Sequence, residues 1–170
     1  PSSTKNRDRK RDPQMHQTRK GKQWYFGMKA HVGVDSKMKI IHSAVVTAAN
    51  VADCTVLPEL LHGEETKVWG DQAYRGQTEA IHEVAPRAQD MTNKQYRYKD
   101  HIDEVQRAKN RTKSQVRSKV EHVFAVIKLK FGYMKVRYRG IKKNANQVFT
   151  LCALSNLFVS RGRLLSTSAA

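Results

Sequence analysis

The runs WYFGMKAHVGVD at 24–35 and KIIHSAVVT at 39–47 constrain this chain more than anything else in it. Tyr25, Met28, Ala30, Val32 and Val34 interleave with Gly27, Lys29, His31 and Gly33. That approximate period of two, rich in aromatic and β-branched residues, reads as a strand. Asp35-Ser36-Lys37 supplies the turn chemistry between the two runs, where a type I′ turn accounts for Asp35. Residues 24–47 are therefore expected to form a hairpin.

Helical spacing follows in AANVADCTVLPELLHG. Asn50 or Asp53 is the expected cap, and Val56, Leu57, Leu60 and Leu61 form an apolar stripe that stops at Gly63. KVWG at 67–70 reads as a short strand, and QTEAIHEV as a helix that stops before Pro86. Residues 87–112 are polar and basic with weak organisation. The strongest helix is expected over 113–130, and QVFTLCALSNLFVS at 147–160 reads as a buried helix. This order of elements predicts an α/β fold with one mixed sheet covered by helices.

A length of 170 residues suits one domain. The net charge of +17, from 32 basic against 15 acidic residues, points to a polyanionic partner, most simply nucleic acid. Residues 1–22 hold eight Lys and Arg with no apolar periodicity and read as a basic flexible loop segment. No stretch is expected to supply the roughly 20 apolar residues of a membrane span, and no secretory core precedes the domain, so a cytoplasmic location is expected. Cys54 and Cys152 lie far apart and read as reduced core residues. No histidine pair has metal-ligand spacing.

Two carboxylates stand out against the basic background. Asp71 ends the strand KVWG, where it also suits a turn or a helix N-cap. In the helix over 113–130, Val116, Val120, Val123, Phe124 and Ile127 make a core stripe. Arg117, Glu121 and Lys128 make a second stripe only about 40° wide that borders the first, with small Ala125 on it. Arg117 and Glu121 equally suit a surface ion pair at i,i+4. Taken together, a strand-end Asp and a helical Glu in a nucleic-acid-binding chain are ingredients of a two-metal phosphoryl-transfer site. Such a site uses hard oxygen ligands for Mg²⁺ and normally needs a third carboxylate.

WYFGMKAHVGVD, TAANVAD, WGDQAYRG and the R-x3-E-x6-K spacing at Arg117, Glu121 and Lys128 resemble the C-terminal half of bacterial insertion-sequence transposases with a DDE triad, of the IS-four/IS-five type. The resemblance runs from PSSTKN to about residue 160. It implies a ribonuclease-H-like mixed sheet flanked by helices, with Asp71 and Glu121 as the second and third catalytic, metal-binding acids. It also implies Mg²⁺ or Mn²⁺ as cofactor, terminal-repeat and target DNA as partners, homo-oligomers on DNA, and a place at the bacterial nucleoid. Arg75, Arg117, Lys128, Lys135, Arg137 and Arg139 are the expected DNA-binding cations, and Tyr133 and Tyr138 are expected either to stack on bases or to pack in the core.

The sequence departs from the family pattern at two points. Ser114 stands where the helix signature usually has Tyr. The first triad Asp lies, in the family, on a central strand just before the PSSTKN-type segment, and the sequence begins at Pro1. The expectation is therefore a partial catalytic domain over 23–162 that lacks its first strand, is inactive alone, and ends in a disordered tail at 163–170. The alternative is a non-catalytic basic nucleic-acid-binding module. A third reading, an RNA-associated structural protein, predicts preference for structured RNA.

Overall fold

The computed structural model of the chain describes residues 4–167. The expected hairpin forms from β2 (Gln23–Val34) and β3 (Ile41–Ala48), antiparallel, with Met28 opposite Ala48 and His31 opposite Val45. Their connection is longer than a two-residue type I′ turn. Asp35 N–H donates to the Ile40 carbonyl at 2.8 Å, the Asp35 carboxylate accepts from the Lys37 and Met38 N–H groups, and Lys39 takes φ +59°. Asp35 is thus held by its own loop backbone, as Asp commonly is in turns.

A further strand, β1 (His16–Lys20), pairs with β2 from His16–Gly27 to Lys20–Gln23. It corrects the reading of 1–22 as loop throughout. The strand has no burial pattern because four of its five residues are exposed, so no apolar alternation marks it. Gly21, at φ +59°, makes the tight turn into β2.

The two faces of β2 meet different layers, which explains its alternation. Ala30, Val32 and Val34 pack against a core of Ile41, Val123, Ile127, Val148 and Cys152. On the other face His31 is buried, and a Cβ on Gly33 would lie 2.7 Å from the Leu60 carbonyl.

After β3 comes one 3-10 turn (Asp53–Val56) and the short helix α1 (Leu57–Leu60). Neither Asn50 nor Asp53 caps this segment; Ala52 occupies the cap position without a side-chain bond. Val56, Leu57 and Leu60 are buried as the stripe requires. Leu57 joins a second core with Val68, Ile81, Ala85 and Ala88. That core lies within a small strand–helix–strand unit of β4 (Lys67–Val68), α2 (Thr78–Val84) and β5 (Gln89–Asp90), with the two strands parallel. The single mixed sheet is therefore corrected to two sheets, one of three antiparallel strands and one of two parallel strands.

Helix α3 (Glu104–Leu129) begins well before residue 113. Asp103 caps it by accepting from Gln106 N–H at 2.8 Å, and its first turns are mostly exposed, so they carry no hydrophobic period. Buried Asn110 ties these turns to the Lys94 backbone through its Nδ2 and Oδ1. Helix α4 (Ile141–Thr167) exceeds the expected 147–160 and takes in residues 163–167 of the expected tail; 168–170 lie outside the described residues.

Only one side of α4 is buried, at Val148, Cys152 and Ser155, while Phe149, Leu154 and Leu157 are exposed. Residues 141–166 are long and apolar enough, by length and composition alone, to cross a membrane, contrary to the sequence expectation. The buried side of α4 packs on the hairpin and α3. The Asn156 carboxamide accepts from Ile41 N–H and donates to its carbonyl, both at 2.8 Å. Both cysteines are free thiols, with Cys152 buried and Cys54 only half-buried.

Candidate active-site groove

A groove of about 1490 Å³ separates the two sheets. Hydrogen-bond direction explains why it stays open. Lys20 and Gln23 flank a two-residue turn and exchange both backbone bonds, so Gln23, Tyr25 and Gly27 direct their backbone groups toward β1. The Gly27 carbonyl also accepts from Ala49 N–H at 3.2 Å, which puts β3 on that same edge. By alternation, Met28, Ala30 and Val32 turn their N–H and C=O groups to the opposite edge, along the groove.

The facing wall behaves alike. The carbonyls of Thr66, Val68 and Gly70 accept from Gln89, Met91 and Asn93, so Lys67 and Trp69 direct their backbone groups away from β5 and toward the groove. Its α3 wall combines an apolar strip with the cations Arg117, Lys119 and Lys128. Val116, Val120 and Phe124 line it half-buried, Val123 of the same predicted stripe lies in the closed core, and Ile127 belongs to both.

Asp71 lines the groove just beyond β4. It caps the single 3-10 turn Gln72–Tyr74, its Oδ1 accepting from Ala73 N–H at 2.9 Å. Tyr74 packs on the second core; burial foremost, with the charges of Asp53 and Asp71, pushes its phenol up to about 12. Arg75 is exposed and donates to the Gln95 carboxamide at the rim of a smaller cavity of about 460 Å³.

On α3, Glu121 Oε1 accepts from Arg117 Nη2 at 2.7 Å, and the Glu121 side chain is 60% exposed. The helical ion pair and the capping bond are thus both present. Arg117 Nε is buried and has no hydrogen-bond partner among the described residues.

A short relay connects the acid-bearing elements. Asn93 N–H donates to the Gly70 carbonyl at 3.0 Å, and Asn93 Nδ2 donates to Ser114 Oγ at 3.1 Å. Ser114, in the place of the signature Tyr, therefore latches α3 to the strand ends beside Asp71. Glu121 lies two turns further along α3, about 10 Å. No bond joins Asp71 to Glu121. Their oxygens are hard ligands of the kind a divalent ion prefers. Among the described residues, however, no three ligating side chains converge.

The remaining predicted cations divide by position. Lys128 and Lys135 are exposed and line the groove, whereas Arg137 and Arg139 are exposed beyond it. Tyr133 packs against the first core and burial raises its pKa, while Tyr138 is exposed.

Two arrangements had no local sequence signal. The Asp53 carboxylate takes Lys29 Nζ at 3.0 Å and lies 3.7 Å from His31 Nδ1, joining residues more than twenty positions apart. Buried Asp12 accepts from Gly140 N–H at 2.6 Å, and Gln14 Oε1 accepts from Ile141 N–H at 2.8 Å, so the N-terminal basic segment is clasped to the start of α4.

A mixed α/β fold, with one carboxylate just after a strand and another on a long helix in a strongly basic chain, is compatible with a DDE transposase domain. A family model, the transposase DDE domain, matches residues 3–157, and the chain belongs to that family. Membership brings DNA transposition as the general function, DNA as partner, and a general dependence on divalent metal. No solved structure matches the chain.

Proposed function

We propose that this chain supplies the second and third acids, Asp71 and Glu121, and the DNA-binding cations of a transposase of the insertion-sequence IS-four/IS-five type. Such an enzyme cleaves DNA at the element's ends and joins the freed 3′-OH to target DNA. The observation that carries the reading is the groove. Its two walls, β2 and the segment around β4, turn toward each other backbone groups that no described strand pairs, with Asp71 at the margin. One strand between them would satisfy both walls, cover Val116, Val120 and Phe124, and complete a ribonuclease-H-like sheet. The first acid is assigned to that strand.

Divalent Mg²⁺ or Mn²⁺, when bound, neutralises charge at the scissile phosphate. Asp71 and Glu121 would hold it, and Arg75, Arg117, Lys128 and Lys135 would hold the flanking phosphates. With no three ligands converging among the described residues, the 170-residue chain alone is proposed to be a poor catalyst. Homo-oligomers on DNA at the bacterial nucleoid complete the reading.

The test is a Mn²⁺ titration of the chain together with a Mg²⁺-dependent nicking and strand-transfer assay on terminal-repeat DNA. Weak metal binding lost in both Asp71→Asn and Glu121→Gln is expected, without strand transfer. Strand transfer abolished by Asp71→Ala would overturn the incomplete site. Metal binding indifferent to both substitutions would overturn the acid assignment and favour a non-catalytic nucleic-acid-binding module.

A further inference from the structure

The β1–β2 ribbon ends in the sequence Arg19-Lys20-Gly21-Lys22-Gln23-Trp24-Tyr25. Its tip projects past the closed core. Trp24 is 62% exposed and Tyr25 46%, and a Cβ on Gly21 or Gly27 would meet nothing within 4 Å.

Cross-strand register sorts the side chains. Trp24 lies opposite Arg19 and Phe26 opposite Gln17, all on one face, while Gln23 and Tyr25 share the other face with Lys20 and Thr18. On the first face the Arg19 guanidinium sits 5.8 Å from the Trp24 ring centre, and that of Arg11 sits 5.0 Å from Phe26. On the second, Tyr25 OH donates to Gln23 Oε1 at 2.9 Å. The tip therefore offers a mostly uncovered indole beside Arg19, with Lys22 in the turn and Lys20 on the other face.

Charge chooses the occupant. No acid occurs between Asp12 and Asp35. Asp12 moreover clasps the N-terminal segment to Gly140, bringing Arg9, Lys10 and Arg11 into one basic region with Arg139. Lysines are depleted at protein–protein interfaces, and a ribbon whose own sequence carries cations and no acid matches a polyanion. Cations alone suffice to hold a duplex, whose bases show only their edges. An exposed ring face adds energy only against a base that has left its stack.

We propose that the tip of the β1–β2 ribbon is a stacking platform for an unpaired base of the DNA strand. Trp24 stacks on the base, and Arg19, Lys20 and Lys22 hold the phosphates on either side. This rests on the DNA-handling reading above and assigns to that DNA an unpaired nucleotide at Trp24, at the end of the groove where Arg19 and Lys20 but not Trp24 form the lining.

The experiment measures binding of the whole chain, by fluorescence anisotropy, to a short duplex and to the same duplex with unpaired bases at one end. The chain is expected to prefer the unpaired end by about 5- to 100-fold. Trp24→Ala is expected to erase that preference while leaving duplex affinity within about twofold, and Trp24→Phe to restore most of it. Lys20→Gln with Lys22→Gln is expected to weaken both complexes alike and to lower the salt slope by about two.

A preference that survives Trp24→Ala overturns the platform, as does an equal loss on both DNAs. Self-association of the chain that Trp24→Ala abolishes also overturns it, in favour of a protein contact. Failure to bind either DNA overturns the DNA-handling reading as well, whereas binding both equally overturns the platform alone. Because Trp24 lies outside both cores, circular dichroism should be unchanged in either Trp24 variant.

Discussion

Replacing Asp12 by Ala tests whether the N-terminal clasp holds the fold together. The carboxylate is 2% exposed, its Oδ2 accepts from Gly140 N–H at 2.6 Å, and its Oδ1 from Gln14 N–H at 3.0 Å. Hydrogen bonds to a charged group contribute about 1.5–3 kcal/mol each, and losing a helix-terminal cap typically costs about 1 kcal/mol. Since the exposed surroundings let water replace part of this, Asp12→Ala is expected to cost about 2–4 kcal/mol. For a domain this size that is a fall in Tm of about 4–16 °C.

Burial alone would raise the Asp12 carboxyl. The N–H groups of Gly140 and Gln14 and the charge of Arg139 outweigh it and hold the pKa below its ordinary value of 3.8. A depressed carboxyl stabilises the fold above its unfolded pKa, and that contribution is lost as pH falls through the folded value. Urea unfolding of the wild type, Asp12→Ala, Asp12→Asn and Asp8→Ala, followed from neutral pH downward, reads both effects. Asp8 is exposed, so its variant should stay within about 0.5 kcal/mol of wild type. The wild-type advantage over Asp12→Asn should narrow below about pH 4. An Asp12→Ala protein as stable as Asp8→Ala, or a gap that widens in acid, would refute the reasoning.

Asn144 is 1% exposed; its Nδ2 donates to the Tyr138 and Gly140 carbonyls at 2.8 and 2.7 Å, and its Oδ1 accepts from Tyr138 N–H. Asn144→Ala should cost about 2–4 kcal/mol, and limited trypsin digestion should then cut at Arg137 and Arg139 sooner than in wild type. Burial pushes the Cys152 thiol up to about 11, so at pH 8 a thiol reagent should modify half-buried Cys54 first and Cys152 only on unfolding. Gly33→Ala would set a Cβ 2.5 Å from His42 Cε1 and 2.7 Å from the Leu60 carbonyl. The backbone carbonyl cannot yield, so a loss of about 1–3 kcal/mol should appear in the urea midpoint.

What the sequence disclosed follows from where each element meets a second layer. β2 alternates because its faces meet different partners, and α3 shows its stripe where Val123 and Ile127 enter the closed core. β1 and the opening turns of α3 gave no signal because they bury little. The mixed α/β class was legible, but the division into two sheets was not, because strand-forming segments do not state which strands pair. Asp71 and Glu121 were visible as residues, one ending a strand and one bordering a core stripe. Their surroundings were not visible. The Asn93–Ser114 latch, the Lys29–Asp53 pair and the Asp12 clasp join distant positions through bonds that no local spacing encodes.

The same closures have a consequence for synthesis. Asp12 reaches Gly140 across 128 residues, Gln14 reaches Ile141 across 127, and Ile41 is gripped by Asn156 across 115. Contacts this distant in sequence form late and slow folding. At ordinary translation rates the first strands wait on the order of ten seconds for α4 to leave the ribosome. During that wait the apolar face of the β2–β3 hairpin that Val148 and Cys152 later cover is open to any other chain. Expression slowed or cooled in the presence of chaperones should therefore raise soluble yield more than any substitution confined to the surface.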